Sequence, residues 1–137
     1  MEALQAADWL AALGIEAEVV DVRTLSPLDT ETLLKSIRKT GRLIALDTGW
    51  SFCGFSAELL AMAVEGAYSS LLAPPRRIAL PDCPTPTSHA LAQHYYPGTA
   101  EIFQAACELM GVSATTPEAS GRSTQRDVPD KAFTGPF

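Results

Sequence analysis

AEVVDVRTLSPLD (Ala17–Asp29) and, one short helix later, TGRLIALDTGWSFCGFSAEL (Thr40–Leu59) are the two stretches that decide the fold. Each is an apolar run that ends on polar, Gly or Pro residues and feeds a helix, the order of a parallel α/β sheet. Glu16 to Val22 predicts a strand through β-branched Val19, Val20 and Val22. Ser26-Pro27 breaks it, and Asp29 is suited to cap a helix over Thr30–Thr40, with Leu33, Leu34 and Ile37 inward. Gly41 ends that helix. Leu43–Leu46 is then a short, nearly continuous apolar strand, the pattern of a sheet covered on both faces.

Upstream, residues 2–13 predict an amphipathic helix with Ala3, Leu4, Ala7, Leu10 and Ala11 on one face and a stop at Gly14. Downstream, Asp47-Thr48-Gly49 turns the chain, and Gly54 opens a helix to about Glu65 whose inward face is Phe55, Leu59, Met62 and Ala63. Arg76–Leu80 reads as a third strand. PDCPTPTSHAL (Pro81–Leu91) is an extended loop with a helical turn near Ser88–Gln93. Thr99 caps a last helix, Ala100–Met110, which packs through Ile102, Phe103, Ala106 and Leu109 and stops at Gly111. The domain thus covers residues 1–111. Residues 112–137, rich in Ser, Thr, Pro, Gly and isolated charges, read as a mobile tail, frayed and without function, with docking of Phe133 and Phe137 on a partner as the rival reading.

Composition narrows the classes. With 137 residues, 47% of them hydrophobic, the chain is globular and long enough for a real core. A net charge of −6 argues against a general electrostatic grip on nucleic acid or an anionic membrane. The apolar runs stop short of the roughly 18–20 residues a membrane span needs, and the acidic, alanine-rich start is not a signal peptide. Three cysteines without regular spacing fit reduced thiols in a cytoplasmic protein.

In a parallel sheet the loops at the carboxyl ends of the strands gather at one edge. Arg23–Asp29, Asp47–Gly54 and Pro81–Ser88 are the loops expected there. Trp50 and Phe52, two aromatics in a polar loop, suit a packed interface, with simple anchoring of the loop as the rival reading. Arg76 and Arg77 open the third strand and suit pairing with carboxylates across an interface. With Asp47 and Asp82 they form the candidate interface set.

No catalytic, cofactor-binding or metal-ligating residue is assigned. His89 and His94 lie five apart, with no third ligand or paired carboxylate at a metal-binding spacing. Cys83 and Cys107 have no CxxC partner. The GxGxxG and GxxxxGK[ST] patterns are absent, and Asp47 lends the wrong sign to the loop ahead of the Gly54 helix.

Taken jointly, EALQAADWLAALGIEAEVVDVRTLSPLD, KTGRLIALDTGW, CGFSAEL, RRIALPDCPTP and HYYPG, spread over Glu2–Met110, resemble one family. It is the C-terminal domain of the transketolase-like thiamine diphosphate enzymes. The nearest likeness is to the β subunit of 2-oxo acid dehydrogenase E1 components, those acting on pyruvate, branched-chain 2-oxo acids or acetoin. The family's glycine pair is here Cys53-Gly54, so Cys53 is expected as a small buried residue in a glycine position, with a redox role as the rival reading.

The resemblance implies a three-layer α/β/α domain with a mostly parallel sheet. The family's strand before the first helix is expected to be missing, leaving sheet edges that invite pairing. It further implies that thiamine diphosphate and Mg²⁺ belong to other domains of the parent enzyme, so that this chain binds neither and is inactive alone. The parent reaction is oxidative decarboxylation of a 2-oxo acid with acyl transfer to lipoyl-lysine. The implied work of this chain is assembly, in a homo- or hetero-oligomer with E1 α and β subunits and in docking the subunit-binding domain of E2. Two rivals stand beside this: a free-standing α/β module binding a small ligand at the sheet edge, and a truncated product in which Met1 is an internal methionine.

Overall fold

The computed structural model describes residues 1–117. The expectation for the tail, with Phe133 and Phe137, lies outside the described residues beyond that point. In chain order the elements are α1 (Glu2–Ala11), α2 (Thr30–Thr40), β1 (Ile44–Trp50), α3 (Phe55–Ala67), a 3₁₀ turn (Tyr68–Ser70), β2 (Arg76–Leu80), α4 (His89–Tyr95) and α5 (Thr99–Met110).

The strands β1 and β2 run parallel, with Ile44 opposite Arg76, Ala45 opposite Arg77 and Leu46 opposite Ile78. The register shifts before Trp50 meets Leu80. At that shift Asp47 turns its Oδ1 back to accept the Gly49 N–H at 2.8 Å. The Asp47-Thr48-Gly49 turn expected from sequence is therefore an irregularity inside a longer strand. Ser51 N–H still donates to the Leu80 carbonyl at 2.8 Å, so the pairing resumes beyond it.

Helices cover both faces of this ribbon. On one side α2 and α3 meet through Ile37, Ala63 and Ala67, with half-buried Leu34, Leu43, Met62 and Leu71 around them. The approach is close: a Cβ added at Gly66 would stand 2.7 Å from Leu34. On the other side α1 and α5 pack through Ala6, Leu10, Ile102, Phe103 and Cys107, joined by Trp9 and by Ile78 of β2. The three-layer α/β/α arrangement is thus present, with one small core in each outer layer.

Local chemistry sets the helix ends. Asp29 Oδ1 accepts the Thr32 N–H at 3.1 Å, and that bond holds the Asp29 carboxyl below its ordinary value. Gly41 and Gly111 adopt left-handed φ of 69° and 68° as C-terminal stops. After α1, Gly14 at φ 76° lets the Ile15 N–H return to the Leu10 carbonyl. Two other helices are capped from a distance. The Glu2 carboxylate of α1 accepts both the N–H (2.8 Å) and the hydroxyl of Thr99 at the start of α5. Asp47 Oδ2 on β1 accepts the Ser56 N–H at 3.0 Å in the first turn of α3. Carboxylates at these positions also complement the helix dipole.

Three expectations need correction. Residues 15–24 form no strand; Val19 and Val20 are exposed, and the segment is held to α2 through Lys39 and Glu18 at 2.7 Å. A strand persists only on a ladder partner, and no described residue pairs with this one. The buried face of α1 is Ala6 and Leu10 with Trp9 beside them, while Leu4 is exposed, because the edge-on contact of Trp9 with Phe103 sets the helix rotation. On α3 the buried stripe runs Ser56, Leu59, Ala63, Ala67, leaving Phe55 and Met62 half-buried. Among the described residues no helix is long and apolar enough to cross a membrane.

Candidate functional site

Because β1 and β2 are parallel, their carboxyl ends lie side by side, and the segments leaving them share one edge of the sheet. This places Trp50 at the end of β1, Phe52 two residues on, and Asp82 just past the end of β2. Trp50 is 51% and Phe52 70% exposed. Arg77 starts farther back, opposite Ala45, but its Nη1 donates to the Ser51 carbonyl at 2.7 Å, so the guanidinium is carried to the same loop. Arg76 does not join them. It sits at the opposite end of β2, opposite Ile44, and pairs with Glu108 of α5.

Asp47 faces inward. With one oxygen on the Gly49 N–H and the other on the Ser56 N–H, its carboxylate is committed within the chain. It takes the Ser56 N–H at the start of α3, one of the donors that an external anion would need. The edge is therefore an aromatic surface with a charged margin of Arg77 and Asp82, backed by the half-buried Asp47 that caps α3.

Beside it, Ser51, Leu80, Pro81, His94, Tyr95 and Tyr96 line a groove of about 320 Å³. Tyr95 is buried, and its hydroxyl donates to the Cys83 carbonyl at 3.1 Å, fixing the loop after β2. The rings of Tyr95 and Tyr96 meet edge-on at 5.1 Å. The sequence reading passed over these tyrosines as site residues. The signal for them was the tandem aromatic pair directly ahead of Pro97-Gly98.

The cysteines differ in environment. Cys107 is fully buried in the α1–α5 core, and burial pushes its thiol above the ordinary value. Cys83 is exposed. Cys53 is exposed too, which corrects its reading as a buried residue, and it adopts a φ of 54°. That conformation disfavours a side chain because Cβ crowds the carbonyl oxygen. Cys53→Gly is therefore expected to raise stability by about 1 kcal/mol, read as a higher urea midpoint at unchanged slope. An unchanged or lower midpoint would contradict this strain.

The start of α3 is already occupied by Asp47, and among the described residues no group of three or more His, Cys, Asp or Glu is arranged to hold a metal ion.

Comparison with known proteins adds the following. The family model for the transketolase C-terminal domain matches residues 1–102. The chain is 42% identical, over 79% of its length, to the β subunit of acetoin:2,6-dichlorophenolindophenol oxidoreductase of Cupriavidus necator, of which it covers 32%. It is 39% identical, over 72% of its length, to the mitochondrial pyruvate dehydrogenase E1 component subunit β of Chaetomium thermophilum, covering 26% of that protein. The same identity and share of this chain hold for the 2-oxoisovalerate dehydrogenase subunit β of Pseudomonas aeruginosa, of which 28% is covered. Among solved structures, one described as a split-gene transketolase, inactive β4 tetramer, superposes with a TM-score of 0.62 at 27% identity, over 81% of this chain and 35% of that one. The chain spans about a third or less of the length of these relatives.

Proposed function

Because the chain belongs to the transketolase C-terminal domain family, we propose that it is the assembly domain of a cytoplasmic 2-oxo acid dehydrogenase E1 β subunit. In this reading it packs against E1 α and β subunits and helps dock the subunit-binding domain of E2. The parent enzyme performs oxidative decarboxylation of a 2-oxo acid, with acyl transfer to lipoyl-lysine. Thiamine diphosphate and Mg²⁺ are held by other parts of that enzyme, and the carbon chemistry is the cofactor's.

One observation carries the proposal. Trp50 and Phe52 stand exposed together at the carboxyl edge of the sheet, while Asp47, the charged residue nearest them in sequence, is hydrogen-bonded within the chain. Exposed aromatics on a pre-organised loop are the composition of an interface centre, where burial of a few large side chains contributes most of the association energy. Arg77 and Asp82 supply a charged margin of the kind that sets orientation more than affinity. Arg76 pairs with Glu108 of α5 at the other end of β2.

The chemical half of the proposal is tested by calorimetric titration of the chain with thiamine diphosphate and Mg²⁺. No saturable heat is expected up to millimolar ligand. Micromolar binding would overturn the assignment of cofactor and chemistry to other domains. It would favour the rival reading, a free-standing module using the groove beside α4, for which that groove is the supporting feature.

A further inference from the structure

We draw no further inference here: the strongest candidate, the edge of β1 that no described residue pairs with, together with the exposed Val19–Val20 segment, carries nothing because nothing in the structure shows what strand or surface covers it.

Discussion

Replacing Gly54 with alanine is expected to destabilise the domain by roughly 3 kcal/mol, a large part of the stability of a single small domain. An added Cβ would stand 2.0 Å from the carbonyl oxygen of Trp50 and 3.3 Å from Asp47 Oδ2. The first neighbour is backbone and has no rotamer into which to retreat. The dihedrals of Gly54, φ −80° and ψ 160°, are open to any residue, so the cost comes from the contact alone. Either the end of β1 or the start of α3 must move. Both movements pull Asp47 from the Ser56 N–H and disturb the loop that presents Phe52. Gly14→Ala makes the useful contrast. Gly14 has a left-handed φ of 76° but no atom within 4 Å of an added Cβ. It should cost only about 1 kcal/mol, from the dihedral. Urea unfolding of the two variants checks the ranking. A Gly54→Ala variant as stable as Gly14→Ala would show that β1 and α3 are not pinned together at this point.

Phe103→Ala is expected to cost roughly 3–5 kcal/mol, as removal of a fully enclosed ring does elsewhere. Phe103 has no exposed surface and sits in the cluster that holds α1 against α5. Its ring meets Trp9 edge-on at 5.7 Å, with an interplanar angle of 81°. Ile78 of β2 packs on the same cluster, so this core also seats the sheet on its second layer. Phe103→Leu keeps most of the volume and should lose only about 1–1.5 kcal/mol. Near-UV circular dichroism gives an independent readout, since Trp9 loses its fixed neighbour in the alanine variant. Equal stabilities for the alanine and leucine variants would contradict the packing described for this layer.

How much of this was legible in the sequence depends on the range of the interaction. Helix order, the glycine stops at Gly14, Gly41 and Gly111, and the Asp29 cap are local, and each stands where its neighbours in sequence place it. The parallel pairing of the Leu43–Leu46 run with Arg76–Leu80 was readable from the alternation of strands and helices. What escaped was long-range. The Glu2 carboxylate reaches Thr99 across 97 positions, and Asp47 reaches Ser56 across nine. The rotation of α1 follows from Trp9 finding Phe103, which no periodicity in residues 2–13 records. The Glu16–Val22 run has the composition of a strand, but composition cannot supply a ladder partner.

The positions of the candidate residues were half legible for a similar reason. Aromatic residues in a polar loop at the end of a strand mark the edge they occupy, and Trp50 and Phe52 are found there. Asp47 was grouped with them by its loop, and Arg76 by its charge at the opening of a strand. Strand direction puts Arg76 at the far end, and the backbone amides of Gly49 and Ser56 claim Asp47. Arg77 reaches the edge only because its long side chain runs back along the sheet to Ser51.

Sedimentation velocity across a concentration series, comparing the wild-type chain with the Trp50→Ala/Phe52→Ala variant, tests the assembly role most directly. Both residues are exposed, so the variant should keep its fold, checked by far-UV circular dichroism. The account predicts that the wild-type chain of 14.6 kDa associates with rising concentration and that the variant associates at least ten-fold more weakly, each lost aromatic anchor being worth about 1–2 kcal/mol. A wild-type chain that stays monomeric throughout, or a variant that associates as strongly as wild type, would contradict an interface centred on Trp50 and Phe52.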